Sequence, residues 1–357
     1  MPPTKDRIGF CAAPDGVRVA YAVRGRGTPL VAIFGNWSHL ELDPQSPVWG
    51  PWIESLSRDH SLVRFDKRGT GLSDRNVENQ SLDAYVADME AVVDHLRLER
   101  FAVVCIGGGA PIAIAYACRH PERITHLVIH CGYVRGRNFR DSPDAQLGPA
   151  FVRAAELGWD APDGFVRRQL ASSVYIPDAQ PDVHAAFDEA ARLSIGAADA
   201  ARNFAMNYAI DVRALAPLVR APTLVLHSRH AELVPFAEGR LLASLIPDAR
   251  LVPLESRNFV LVPGEKAWET WLRETAAFLA APSREGGPFD VLTARERDLA
   301  LLISEGLDNA QIAARLSISE KTVRNHITRI FAKLKVETRA QAIVLAHRAG
   351  LQSNLAP

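Results

Sequence analysis

The chain has 357 residues, a length that suits about two domains. Hydrophobic residues make up 48% and charged residues 23%, which excludes a disordered or fibrous protein. The 41 Lys and Arg residues balance 41 Asp and Glu residues, so the chain is neither uniformly basic nor uniformly acidic, and this balance does not exclude a local basic patch.

The start of the chain, MPPTKDRIGF, lacks the apolar segment of a secretory signal. The four cysteines are widely spaced and show no zinc-binding or CxxC pattern, which favours a reducing compartment. We therefore expect a cytoplasmic protein with neither a metal nor a cofactor. The cysteines are Cys11, Cys105, Cys118 and Cys131.

The first 280 residues alternate short apolar runs with helical patterns, which predicts an α/β fold with a mostly parallel sheet covered on both faces. The predicted strands are Val17–Val23, Leu30–Phe34, Leu62–Phe65, Ala102–Ile106, Thr125–Cys131, Thr223–His227 and Arg250–Leu254. The helical patterns lie near Trp52–Ser57, Leu82–Leu96, Pro111–His120, Ala237–Leu245 and Glu265–Leu279.

The longest apolar stretch, Phe101–Cys118, is about long enough to cross a membrane. Three consecutive glycines, Gly107 to Gly109, and Pro111 interrupt it. These residues favour a buried strand, a tight turn and a helix, and we expect no membrane association.

Two segments interrupt the alternation. Between Arg135 and Val212 there is no strand signal but several helical stretches, which predicts a helical lid over a pocket. Residues 281–290, APSREGGPFD, have the composition of a linker. We therefore predict domains at 1–280 and 291–357. From Pro288 onward ten Lys and Arg residues face seven Asp and Glu residues, a net charge of +3, against −3 for the remainder.

Four helices are predicted after the linker. Thr293 and Glu296 form the sequence pattern of a capping box, Asp308 and Gln311 open the second helix, and Ser319 is a favourable N-cap for the third. The fourth helix is predicted over Arg339–Ala349, ending at Gly350.

The third helix combines an apolar stripe with a polar outer face. The stripe consists of Val323, Ile327, Ile330 and Leu334, spaced as one helix face requires. Arg and Asn side chains can read guanine and adenine edges in the major groove, and flanking cations bind phosphates. We predict DNA contacts from Lys321, Thr322, Arg324, Asn325, Thr328, Arg329 and Lys333.

The whole segment Leu292–Leu351 resembles the LuxR-type DNA-binding domain, through LTARE, the EG before the turn, IAARLSIS, TVRNH and KL. The resemblance implies a helix-turn-helix domain of four helices that binds double-stranded DNA as a homodimer on an inverted-repeat operator. The alternative is a helical dimerisation appendage whose charges are simply solvated.

The first 280 residues resemble the α/β-hydrolase superfamily. The motifs are the loop Gly35–Trp52, FDKRGTGLSDR at Phe65–Arg75, the strand-turn-helix-strand segment Val103–Ile129, and the segments PTLVLHSRHAELVPF and LVPLESRNFVLVPG. In that superfamily the last three segments carry a nucleophile, an acid and a histidine.

None of the three catalytic side chains is present in this chain. The apex of the turn after the strand reads Gly107, the acid position Ala231 and the histidine position Phe259. No Ser occurs from Leu82 to Asp141 and no His from Ala231 to Asn325, so a small register error cannot restore the triad. We therefore predict a hydrolase fold that does not catalyse and that binds a small, mostly apolar ligand.

Backbone donors near Asn36, Trp37 and Gly108 are expected to bind a carbonyl or phenol oxygen of that ligand, and glycine at the apex to leave extra room. We predict ligand contacts from Asn36, Trp37, Ser38, Gly107, Gly108, Cys131, Tyr133, Phe139, Phe204, Tyr208, Ala231 and Phe259.

Other reactive side chains are weaker candidates for a catalytic or ligand-binding role. Cys105 is a conceivable displaced nucleophile, but no His is placed to activate it. Glu232 has no His to orient. Structural roles are favoured over cavity contacts for His39, His130 and His230.

Together these features predict a ligand-responsive transcriptional regulator of quorum or metabolite signalling, with its sign as activator or repressor left open. Two alternatives remain: a DNA-tethered hydrolase with an unconventional mechanism, and a constitutive DNA-binding protein whose large domain only dimerises. The constitutive alternative predicts a filled interior without a cavity.

Overall fold

The computed structural model describes residues 5–140, 147–161, 163–282, 289, 292–316 and 318–348. The chain divides into two compact units, Met1–Ala281 and Pro282–Pro357. The predicted linker begins at this division, and most of it lies outside the described residues.

The first unit contains an eight-stranded sheet. Its strands are β1 (Arg7–Ala12), β2 (Arg18–Arg24), β3 (Thr28–Ile33), β4 (His60–Phe65), β5 (Phe101–Ile106), β6 (Ile124–His130), β7 (Thr223–Ser228) and β8 (Ala249–Leu254). The order across the sheet is β1-β2-β4-β3-β5-β6-β7-β8. β2 pairs antiparallel with both β1 and β4, whereas all other pairs are parallel. The predicted α/β class with a mostly parallel sheet is confirmed.

The strand β1 is absent from the sequence prediction. Its six residues, RIGFCA, lie at the edge of the sheet, and none of them is fully buried. By contrast, all six residues of β5 are buried and read as a continuous apolar run. Edge strands carry a weaker hydrophobic signal because water covers part of their surface, which explains the omission.

Helices connect the strands and form the insertion between β6 and β7. The α-helices among the described residues of the first unit are α1 (Trp49–Ser57), α2 (Leu82–His95), α3 (Gly109–Arg119), α4 (Gly148–Gly158), α5 (Phe165–Leu170), α6 (Pro181–Ser194), α7 (Ala197–Ala209), α8 (Phe236–Leu245) and α9 (Lys266–Ala280). The helices α4 to α7 lie in the segment that the sequence predicts as a lid, and a β-bridge between Arg135 and Asp211 joins the two ends of that segment.

The second unit contains the helices α10 (Ala294–Ser304), α11 (Asn309–Leu316), α12 (Glu320–Leu334) and α13 (Arg339–Arg348). The Thr293–Glu296 capping box is formed, and the Ser319 side chain accepts a hydrogen bond from the N–H of Thr322. Asp308 and Gln311 exchange two hydrogen bonds of 2.8 Å at the start of α11. The predicted helix end at Ala349 and Gly350 lies outside the described residues.

The apolar stripe of α12 faces the core of the second unit. Val323, Ile327, Ile330 and Leu334 are all buried there, as predicted. This packing leaves the opposite face of α12 to solvent.

None of the described helices is both long and apolar enough to cross a membrane. Within the described part of the chain, no cluster of three His, Cys, Asp or Glu side chains is arranged to hold a metal ion.

Candidate functional site

The turn between β5 and α3 has the sharp geometry that the sequence predicts. Gly107 has a φ of +53°, a left-handed conformation that favours glycine, and its N–H donates to the carbonyl of His130 at 3.0 Å. A Cβ atom at Gly107 would lie 2.5 Å from Cζ of Phe259. The ring of Phe259 therefore occupies the space that a side chain at position 107 would need.

Several contacts fix Phe259 in this place. Its N–H donates to the carbonyl of Tyr175 at 2.9 Å, and its own carbonyl accepts from Nε2 of His130 at 2.8 Å. Its ring packs edge-on against the Tyr175 ring, with centroids 5.6 Å apart. The expectation that glycine leaves extra room at the turn is wrong, because the Phe259 ring fills that space.

The residue that the sequence assigns to the acid position, Ala231, carries no charge. Ala231 is buried and lies just after β7. Glu232 is exposed, and His230 is an exposed side chain 3.6 Å from Glu255. His230 lies on the surface beside Glu255, and no hydrogen bond or ion pair joins it to Glu232 among the described residues, so the two form no proton relay.

Cys105 lacks the surroundings that activate a thiol. Its thiol is buried and donates to the carbonyl of Val128 at 3.6 Å, and burial raises its pKa well above the usual value. A buried thiol with a raised pKa and no adjacent base stays protonated and unreactive.

A small cavity of about 30 Å³ lies beside the turn. This volume holds about one water molecule, whereas ligand pockets usually measure about 300–1,000 Å³. The predicted contacts that line it are Asn36, Gly108, Tyr133, Phe204, Tyr208 and Phe259. The lining residues that the sequence prediction lacks are Arg137, Arg140, Asn207, Leu233 and Val234.

Polar side chains crowd one side of this cavity. Tyr133 donates its hydroxyl to Oδ1 of Asn207 at 2.8 Å, and Nδ2 of Asn36 donates to the Tyr175 hydroxyl at 2.8 Å. A Cβ atom at Gly108 would clash with Oδ1 of Asn207. Glycine at position 108 therefore allows these amides to approach the turn.

Arg137 and Arg140 belong to the segment just before α4, and both line the cavity. Arg137 is 8% exposed, and its guanidinium lies 5.2 Å from the Phe151 ring and 5.7 Å from the Tyr208 ring. Arg140 donates to the carbonyl of Leu233 at 3.1 Å. The sequence alone indicates neither residue, because the predicted ligand contacts rest on aromatic side chains and backbone donors and not on the cations of this segment.

Three of the predicted ligand contacts pack elsewhere. The Trp37 ring is 5.2 Å from the rings of both Trp159 and Tyr175, inside an aromatic cluster. Cys131 is buried and accepts from the N–H of Ser228. Phe139 is exposed on the surface.

Ser38 is held by a buried carboxylate and does not line the cavity. Its hydroxyl donates to Asp66 at 2.7 Å, and the same carboxylate accepts from the N–H groups of Leu40 and Leu72. These hydrogen bonds tie the loop after β3 to the loop after β4. Gly107 and Ala231, which the sequence also predicts as ligand contacts, are absent from the residues that line the cavity.

Two buried histidines of the first unit make its stability depend on pH. Burial lowers the pKa of His130 to about 3 and that of His227 to about 4. In the unfolded chain both side chains bind protons near pH 6.5. The stability that neutral histidines confer is therefore complete above pH 6.5 and is lost as the pH falls toward 4.

We expect the substitution His227→Gln to reduce the stability lost between pH 7.5 and pH 5 by about 2 kcal/mol relative to the wild type. Urea unfolding at the two pH values measures this difference. Burial raises the pKa of Asp43 to about 7, which acts in the opposite sense in both proteins and cancels in the comparison. An unchanged pH dependence in the variant would refute the assignment.

The outer face of α12 is exposed as the sequence predicts. The residues expected to contact DNA, all of them exposed, are Lys321, Thr322, Arg324, Asn325, Thr328, Arg329 and Lys333. Three of them also make contacts within the unit. The Thr322 hydroxyl lies 2.8 Å from that of Ser319, Thr328 donates to the carbonyl of Arg324, and Lys333 forms an ion pair.

Lys333 lies 2.6 Å from Oε2 of Glu296, the side chain that closes the capping box of α10. We expect Lys333→Ala to destabilise the second unit by about 1 kcal/mol, because the largely buried Glu296 carboxylate loses its cation. Thermal unfolding of the full chain tests this, with Lys321→Ala as the control of equal charge. Equal stability of the two variants would show that the ion pair contributes nothing.

The eight-stranded sheet, the strand-turn-helix at Gly107 and the helical insertion define an α/β-hydrolase architecture. The model for "alpha/beta hydrolase fold" matches residues 34–263, and that for "Bacterial regulatory proteins, luxR family" matches residues 290–346. The chain belongs to the alpha/beta hydrolase fold family, and its second unit is a LuxR-type DNA-binding domain.

Curated relatives divide between the two units. A 2-hydroxymuconate semialdehyde hydrolase from Pseudomonas sp. strain CF600 is 27% identical over 260 residues, covering 70% of this chain and 87% of that protein. The DNA-binding transcriptional activator DevR/DosR of Mycobacterium tuberculosis is 46% identical over 77 residues, covering 21% of this chain and 36% of that protein.

Solved structures share the fold of the first unit. A hydrolase from Pseudomonas aeruginosa PA01 superposes with a TM-score of 0.65 at 22% identity, covering 77% of this chain and 99% of that one. The enol-lactonase from Burkholderia xenovorans LB400 gives a TM-score of 0.63 at 20% identity, covering 76% and 100%.

Proposed function

We propose that this protein is a transcriptional regulator whose hydrolase-fold unit binds a small molecule and controls DNA binding without catalysing a reaction. The observation that carries the proposal is the ring of Phe259 above the turn at Gly107. In a hydrolase of this fold the corresponding places hold a histidine and a nucleophile. Here one place has no side chain and the other has a hydrocarbon ring.

Loss of both groups removes acyl transfer almost completely. Without nucleophile and base, turnover is expected to fall by about 10⁶-fold, to what binding alone provides. Relatives named as hydrolases share the fold of this unit. We propose that this chain uses the same fold for binding and not for catalysis.

The second unit is the output of the proposed regulator. We propose that α12 enters the major groove of double-stranded DNA and that two copies of the chain bind an inverted repeat. Exposed Arg324 and Asn325 would read base edges, and Lys321 and Arg329 would bind phosphates. Such a protein acts where DNA is, which is consistent with the expected cytoplasmic location.

The input is proposed to be a ligand at the cavity beside Gly108. Polar lining groups support a binding role, since Asn36, Asn207 and Tyr208 converge there with apolar Phe204 and Phe259. A ligand controls DNA binding only if it binds the two DNA-affinity states unequally. The lid and its half-buried Tyr208 are the proposed moving parts.

The small size of the cavity favours a second candidate function, a constitutive regulator whose first unit has only a structural role. About 30 Å³ is close to the filled interior that this alternative predicts. The two candidates differ in one observable. The sensor predicts that a bound small molecule changes DNA affinity by about fivefold or more, and the constitutive protein predicts no change.

Turnover of p-nitrophenyl acetate and butyrate by the full chain tests the non-catalytic part of the proposal. We expect the wild type to release p-nitrophenol no faster than a Cys105→Ala variant or heat-inactivated protein. Turnover that saturates with substrate and changes in a Phe259→Leu variant would overturn the proposal and favour a hydrolase with an unconventional mechanism.

A further inference from the structure

Two arginines line the cavity, Arg137 buried and Arg140 partly buried, and neither forms an ion pair with an acidic residue in the described part of the chain. Nε of Arg137 and Nε of Arg140 are both shielded from solvent, and neither has a hydrogen-bond partner in the described part of the chain. Burial lowers the pKa of Arg140, but an arginine remains charged. A buried N–H group without an acceptor is costly, and each such group in a folded protein calls for an explanation.

The charge of Glu238 acts favourably on Arg140, but the Glu238 carboxylate is directly paired with a different arginine. The acidic side chain next to the pair is Glu238, which is buried and lies 3.2 Å from the guanidinium of Arg135. Asp211 pairs with Arg213 at 2.6 Å. Arg137 and Arg140 instead contact aromatic faces, those of Phe151 and Tyr208 for Arg137 and that of Tyr133 for Arg140.

We propose that the cavity binds the carboxylate of a small organic acid, with Arg137 and Arg140 as its cationic partners. This inference rests on the proposed ligand-binding function and names the chemical class of the ligand. A volume of about 30 Å³ accommodates a carboxylate group or one water molecule. Hydrogen bonds between guanidinium and carboxylate are charge-assisted, so the arginines favour an anion over a neutral oxygen.

The remainder of the acid is apolar. The Phe204 and Phe259 rings and the side chains of Leu233 and Val234 line the same cavity. Tyr208 and Leu233 are only half-buried, so the body of the ligand can extend past them without disturbing the core. An aromatic monocarboxylate therefore fits the lining better than the carbonyl or phenol that the sequence alone suggests.

Calorimetric titration of the full chain with formate, acetate and benzoate tests this site, with benzamide as the neutral counterpart of benzoate. We expect the carboxylates to bind and to raise the melting temperature, and benzamide and sodium chloride to do neither. Arg137→Gln and Arg140→Gln should each weaken benzoate binding by about tenfold or more. Arg153→Gln, on the exposed face of α4, removes the same charge from the lid and should leave binding unchanged.

Arg137→Lys provides a second variant in case Arg137→Gln does not fold. It keeps the charge but loses the planar fork, so its affinity should lie between those of the wild type and the Gln variant. The inference is wrong if no carboxylate binds at concentrations up to about 10 mM, if benzamide binds as well as benzoate, or if the Arg variants bind like Arg153→Gln. A cavity that holds only water gives the first of these results.

Two experimental outcomes distinguish a failure of the carboxylate site from a failure of ligand control of DNA binding. Carboxylates that bind without changing DNA affinity would establish the site and contradict ligand control of DNA binding. A neutral compound that changes DNA affinity while no carboxylate binds would support the sensor and reject the carboxylate site.

Discussion

The substitution Gly107→Ala is expected to destabilise the hydrolase-fold unit by about 3 kcal/mol. The added Cβ would lie 2.5 Å from Cζ of Phe259, and the residue must keep a φ of +53°. Both the overlap and the left-handed backbone are unfavourable for alanine. Urea unfolding of the full chain, followed by the fluorescence of the buried tryptophans, measures the loss.

A matched glycine separates the two causes. Gly16 has a φ of +86° and nothing within 4 Å of its added Cβ, so Gly16→Ala carries the backbone cost alone, about 1 kcal/mol. The excess in Gly107→Ala measures the overlap with Phe259. Equal losses at the two positions would show that the Phe259 ring does not cover the turn.

A double-mutant cycle then tests the pair directly. Phe259→Ala should cost about 3 kcal/mol through lost packing. The double variant Gly107→Ala/Phe259→Ala should lose at least about 1 kcal/mol less than the sum of the two single variants, because removing the ring relieves the overlap. Additive losses would contradict the contact on which the non-catalytic proposal depends.

The double substitution Arg324→Ala/Asn325→Ala is expected to weaken specific DNA binding by about 100-fold, since each base contact in the groove contributes about 1–3 kcal/mol. Both side chains are exposed on α12, so the melting temperature should not change. Fluorescence anisotropy at fixed salt, on a duplex selected by the wild type from a random library, measures the loss.

Arg324→Lys is the control that keeps the charge. It should bind a scrambled duplex as the wild type does, with the same salt dependence, but discriminate less well in favour of the selected duplex. If the double alanine variant binds the selected duplex with wild-type affinity, α12 is not the reading helix.

The sequence predicted most where the signals were local. The caps at Thr293 and Ser319 and the buried stripe from Val323 to Leu334 depend on residues three or four positions apart, and all are confirmed. The central strands are predictable from the sequence because their apolar runs are continuous. The edge strand β1 was missed because it is only partly buried.

The cavity could not be predicted in the same way. Its lining combines residues far apart in the chain, such as Asn36 and Asn207, whose side chains meet at 3.4 Å across 171 positions. The sequence alone predicts that Phe259 takes the histidine position, but it does not predict that the Phe259 ring packs against Gly107. Which of the cations near the lid would be buried depends on tertiary packing, so Arg137 and Arg140 carried no signal.

We propose that the hydrolase-fold unit changes DNA binding by binding a small molecule that it does not consume. The direct test is the affinity of the full chain for its selected duplex, measured with and without aromatic acids, amides, phenols and esters, with each compound then recovered and identified by mass spectrometry. We predict that at least one compound changes the Kd by about fivefold or more and is recovered intact. A compound that is consumed, or a panel that binds the chain and leaves the Kd unchanged, would contradict this account.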